Sequence, residues 1–166
     1  MRDRRLVGYW SDKNLYMGSM AVDEIAFRAD GTGWTYWCNA ARGFEVVRFT
    51  WRQASRSALT LRVREYAGGD WSLGHGDRPV ITHRVTSQSA RDERISLGYE
   101  ITAGQNVIGS PATLLQFDQQ VVILSVVIGK RFALERELAA NEHDPAYRPD
   151  RRKHHRWRAR QPRPRP

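Results

Sequence analysis

A single cysteine, Cys38, is all the thiol chemistry this chain has. No intramolecular disulfide can form, so nothing in the sequence calls for an oxidising compartment. No base stands beside Cys38 in sequence, and it reads as a half-buried strand thiol. Long hydrophobic runs are missing too. The longest, Val121 to Gly129, has nine residues, whereas a membrane-crossing helix needs about twenty. The opening MRDRRLVGYWSDK is charged, then aromatic, and lacks the apolar stretch of a signal peptide. The expected protein is cytoplasmic, with no membrane span.

Other absences narrow the chemistry. No two histidines stand at ligand spacing on one strand, and neither a metal nor a cofactor is expected. His75 sits among glycines, and His143, His154 and His155 fall near the end. The glycine-rich GGDWSLGHG does not lead from a strand into a helix, as a phosphate-binding loop would. No carboxylates pair at a spacing that makes a catalytic dyad, since Asp23 and Glu24 precede a strand and Glu65 and Glu100 point outward. Ser125 interrupts an apolar run without a nucleophile motif around it. Lysine is nearly absent, with three against 24 arginines. That skew is what a GC-rich genome produces, so single arginines carry little functional weight.

The charge that is present is unevenly placed. From Arg148 to Pro166 the chain holds eight arginines, one lysine and one acid, a net +8 out of +9 for the whole. The preceding residues are nearly neutral. The sequence therefore divides into a globular domain over 1–140 and a disordered Arg/Pro-rich basic tail over 141–166. Nine positive charges with Trp157 among them would suit nucleic acid or an anionic surface. A solubilising tail fits the same composition.

Strand signals fill the rest. Leu6 to Trp10 is a short apolar segment. Ala21 to Arg28 leads into Asp30-Gly31, a tight-hairpin signal, and then into the aromatic Thr32 to Cys38. In Phe44 to Gln53 the apolar phase switches between Val46 and Val47, which reads as a bulge or a bend. Leu59, Leu61 and Val63 face one way, opposite Thr60, Arg62 and Arg64. Ala67 to Pro79 reads as a loop. Ile81, His83 and Val85 share a face of the next strand, and Ile95, Leu97, Tyr99 and Ile101 a face of another. Ala112 to Phe117, Val121 to Ile128 and Lys130 to about Arg136 complete the set, with a helical turn after Arg136. Eight to ten strands and little helix predict an all-β, antiparallel up-and-down barrel.

Gly8-Tyr9-Trp10 at the first strand resembles the G-x-W that opens the barrels of lipocalins and the wider calycin group. Phe27 to Gly31 (FRADG) resembles the F-x-x-D-G hairpin of small bacterial lipocalin-like domains, and Phe132 to Arg136 (FALER) their aromatic-arginine ending. The resemblance spans about residues 6–136. It implies that Trp10 packs near the closed end of the barrel against an arginine of the last strand, Arg136, with Arg131 as the alternative. The chain departs from secreted lipocalins in lacking their disulfide, and it shows no clear helix beside the barrel.

The candidate site follows from the faces. His83 lies in phase with Ile81 and Val85, on an apolar face. Trp34, Tyr36, Trp51 and Tyr99 are expected to line the interior with it, as a pocket for a small lipophilic or aromatic ligand. The same pattern fits an aromatic core with no cavity. The resemblance also implies an enzyme reading, a cyclase or isomerase working on a natural-product intermediate. His83 and Tyr99 are its candidate catalytic groups.

Overall fold

A computed structural model describes residues 3–16, 18–74, 81–119, 121–123, 126–128 and 131–135. Arg136, the boundary at residue 140 and the basic tail lie outside these, as do Ser125 and all the histidines except His83. Ten strands follow one another: β1 Gly8–Ser11, β2 Ala21–Phe27, β3 Thr32–Asn39, β4 Gly43–Ser55, β5 Ala58–Leu73, β6 Ile81–Gln105, β7 Pro111–Phe117, β8 Val121–Ile123, β9 Val126–Ile128 and β10 Arg131–Leu134. Eight of them close a ring in the order β1-β10-β7-β6-β5-β4-β3-β2, and every neighbour is antiparallel. The predicted up-and-down barrel is what the chain forms. No helix among the described residues is long and apolar enough to cross a membrane.

Local chemistry makes the turns. Between β2 and β3, Gly31 takes φ 88°, a conformation glycine enters without strain. Asp30 Oδ1 accepts from the Thr32 amide at 2.8 Å and from the Thr32 hydroxyl at 2.7 Å. The β2–β3 register follows, pairing Phe27 with Gly33 and Glu24 with Tyr36. Most of the ring is such local pairing. The seam is different: among the described residues, β1 meets β10 through two residue pairs, Trp10–Leu134 and Ser11–Ala133.

One face of every barrel strand turns inward. Trp10, Phe27, Phe49, Trp51, Leu61, Leu97, Phe117 and Phe132 meet there and are at most 3% exposed. Edge-on aromatic contacts knit them, with Phe27 and Trp51 centroids 5.3 Å apart and Phe117 and Phe132 6.3 Å apart. Gly33 belongs to this fit, because a Cβ there would stand 2.5 Å from the Phe49 ring. The interior is a filled aromatic core. Trp10 is fully buried in this core, its indole N–H donating to the Leu6 carbonyl at 2.9 Å. Arg131 does not stack on it. It lies on the face of β10 opposite to Leu134, the cross-strand neighbour of Trp10.

Several strand boundaries differ from the sequence reading. Ala67 to Leu73 is strand, not loop, and continues β5. Residues 81–105 form one strand of 25 residues rather than two. Val121 to Ile128 is split into the separate β8–β9 hairpin. No bulge occurs at Val46-Val47, where β4 pairs regularly with Ala67 and Tyr66, and the register shift comes one pair later, between Arg48 and Phe49. The apolar phase switches for another reason. Val47, Phe49 and Trp51 face the interior, while Phe44 and Val46 face outward and are also buried.

Candidate functional site

The second buried layer lies on the outward face of β1 to β4. Cross-strand register sets its rows. Ser11, Glu24, Tyr36 and Val46 stand side by side across four strands, with Tyr9, Ala26 and Trp34 in the next row and Val22, Cys38 and Phe44 in another. Tyr9 and Trp34 are fully buried, and their rings are 5.8 Å apart. Strand β9 of the small hairpin comes near β2 and β3.

The far end of the β5–β6 ribbon supplies the remaining groups. Past Gly68-Gly69 the register slips, so that Gly69 pairs with Val85 and Trp71 with His83. Gly69 is required here, since a Cβ would run into the Arg84 carbonyl and stand 2.9 Å from the Thr86 nitrogen. The slip brings His83 from β6 over to β3. Its Nε2 lies 2.9 Å from the Tyr36 hydroxyl. Its ring stands edge-on to Phe44 at 4.7 Å, while Tyr36 and Phe44 stack at 6.3 Å. Trp71 holds the ribbon down, its amide donating to the Arg42 carbonyl at 2.7 Å and its indole N–H to the Asn39 carbonyl at 3.1 Å.

Burial sets the electrostatics. Glu24 is 4% exposed. Desolvation pushes its carboxyl up to about 7, against the smaller opposing pull of the Tyr9 hydroxyl and Lys13. Desolvation also raises Tyr36, Tyr9 and Cys38 above their ordinary values. A phenol this reluctant to ionise keeps its proton, so the contact with His83 Nε2 is a neutral-phenol hydrogen bond whose direction follows the imidazole tautomer. The layer thus gathers a carboxyl that changes charge near neutrality, two phenols, an imidazole and a thiol among aromatic rings. Perturbed groups gathered in this way mark functional sites more often than plain cores.

The structure brings Trp34, Tyr36 and His83 together on this outer layer. It places Trp51 and Tyr99 elsewhere, on the interior face. The Trp51 indole N–H is shared between the Arg28 and Thr32 carbonyls at 3.1 and 3.2 Å. The Tyr99 hydroxyl donates to Asp3 Oδ2 at 2.8 Å and to the Arg56 carbonyl at 3.3 Å, tying the N-terminal segment across the barrel end. Its pKa is pushed up to about 12 by burial and by Asp3, which Arg5 holds down to about 2. Tyr99 and His83 therefore do not share a site. Glu24, Phe44, Cys38 and Trp71 do belong with His83. Glu24 was hidden by its neighbour Asp23, because two adjacent acids read as a polar strand entry. Only the parity of Glu24 with Val22 and Ala26 could have marked it.

Among the described residues, no three His, Cys, Asp or Glu side chains converge as a metal site. Compared with models of protein families, with curated proteins and with solved structures, the chain matches none.

Proposed function

We propose that this protein binds a small lipophilic or aromatic molecule, and that the outer aromatic layer, not the barrel interior, holds it. One observation carries this reading. Leu73, Ile81 and Val85 on the ribbon face are 52%, 45% and 40% exposed. Half-buried Trp71 and His83 follow on the same face, and then buried Phe44 and Tyr36. Exposed apolar side chains grading into a part-buried polar pair suit a ligand with a greasy body and one hydrogen-bonding end. The filled interior favours this placement over a ligand inside the barrel. The lipocalin-like opening Gly8-Tyr9-Trp10 agrees with a small-molecule role, as a resemblance.

Titration with 1-anilinonaphthalene-8-sulfonate and a panel of planar phenols tests it, read by tryptophan fluorescence and melting temperature. Binding is expected in the wild type and at least tenfold weaker in Val85→Asp and His83→Ala. No binding by any probe, or binding untouched by both variants, would sink the idea.

A second reading is favoured by Glu24. A carboxyl that titrates near 7 and pairs across the strands with Tyr36, itself bonded to His83, is placed for proton transfer, the chemistry a cyclase or isomerase needs. A substrate turned over by wild type and not by Glu24→Gln, with binding retained, would separate this from simple carriage.

A further inference from the structure

The outward face of β4, β5 and β6 carries a different chemistry. Thr50, Arg62 and Arg94 stand directly opposite one another across the three strands, and Arg52 pairs with Thr60 one row along. Arg52, Arg62, Arg64 and Arg94 line one concavity of about 420 Å³. Like charges placed face to face on a sheet oppose folding unless something neutralises them.

Among the described residues, little does. Asp92 takes Arg62 in a forked pair at 2.6 and 2.9 Å and reaches Arg64 at 4.0 Å. The other acids of β5 and β6 stand apart from these arginines. Glu65 is held by Arg48 at 2.8 Å, Glu93 stands opposite Val63 on the other face of the sheet, and Glu100 lies six residues along β6 from Arg94, opposite Gln116 of β7. The face is therefore mainly of one sign.

The basic surface also continues. Arg52 borders a second, larger concavity of about 1470 Å³ that Arg4 and Arg56 line as well. From Arg64 back to the turn beyond Ala58 the tract runs ~20 Å along β5. One strand of a duplex places a phosphate every ~3.4 Å of axis, so the tract spans several phosphates and is longer than a free diphosphate requires. The nearest aromatic, Trp51, is 3% exposed and faces inward, so it offers no platform for an unstacked base.

We infer that this arginine face binds the phosphate backbone of duplex nucleic acid without reading sequence. The inference stands apart from the aromatic site and from the C-terminal tail. Its test is fluorescence anisotropy of a labelled duplex of about 20 base pairs against the full chain, over a salt series. The triple variant Arg52→Gln/Arg62→Gln/Arg94→Gln is compared with a charge-matched control, Arg42→Gln/Arg84→Gln/Arg131→Gln. Both keep the tail, so its contribution cancels. Circular dichroism checks that each is folded.

The expected result is at least tenfold weaker binding for the first variant at low salt, with the log–log salt slope smaller by about two to three. The control stays within about threefold of wild type. Equal losses in both variants, or no loss in either, would overturn the inference. Displacement of the duplex by inorganic pyrophosphate at equimolar concentration would overturn it as well, since the site would then be one for a small phosphate compound.

Discussion

Two buried layers share the strands β1 to β4, and they are built for different ends. The inner layer is mostly apolar, with buried rings from β1, β2, β4, β6, β7 and β10, and its polar exceptions on β2 and β3 are Asp23 and Thr35. The outer layer buries as completely, yet it contains Glu24, Tyr9 and Tyr36, and His83 reaches in from the ribbon. Burying a carboxyl works against stability, and the outer layer sets its carboxyl among phenols and near an imidazole and a thiol rather than among hydrocarbon alone. The contrast separates a layer that makes the barrel from the layer proposed above to hold a ligand.

Substitutions can break that contrast from either side. The largest effect is expected inside. Phe49→Ala should cost about 3–5 kcal/mol of unfolding free energy by urea denaturation, because the surrounding rings cannot close the cavity. Trp10→Ala should fall in the same range and also lose the bond to the Leu6 carbonyl.

Next comes Glu24→Gln, where the sign depends on pH. The fold keeps Glu24 protonated up to about 7, while the unfolded chain ionises near 4.5. Between those values the unfolded state has given up a proton that the folded state retains, so wild-type stability falls as pH rises. Its contribution is intact below about 4.5 and lost by about 7. The glutamine variant lacks that loss and should gain on wild type by about 3 kcal/mol at pH 8. Parallel stability–pH curves for the two proteins would contradict the assignment.

Smallest is Tyr36→Phe, which removes the hydroxyl that faces His83 Nε2. It should cost about 1 kcal/mol and leave the melting transition cooperative. It should also shift the His83 ring resonances in an NMR titration, whereas Phe49→Ala should not.

How much of this the sequence carries depends on whether one face of a strand is buried or two. Leu59, Leu61 and Val63 alternate cleanly with Thr60, Arg62 and Arg64, and the structure buries the first set and leaves the second toward solvent. Asp30-Gly31 announces its turn. Alternation is ambiguous where both faces are buried. The step from Val46 to Val47 looks like a fault in one pattern, when it is the overlap of two. Thr32 to Cys38 has the same problem, and Trp34 and Tyr36 fall on the outer side for reasons that only pairing reveals. Glycine misleads in the other direction. Gly68 and Gly69 look like loop residues, yet they sit in a long strand at the point where it must bend. The approach of His83 to Tyr36, 47 residues away in sequence, rests on that bend and leaves no mark in local composition.

The seam between β1 and β10 also bears on how the molecule assembles. Asn14 and Glu135, which meet beside it through a 3.0 Å hydrogen bond, are 121 residues apart in sequence. Nearest-neighbour hairpins can zip from β2 through β6 with short loops, whereas this join must close nearly the whole chain for two residue pairs. The seam is thus the step with the greatest entropic cost and the least local reward. By topology, an open sheet that joins its two edges here last is the order of assembly this chain favours.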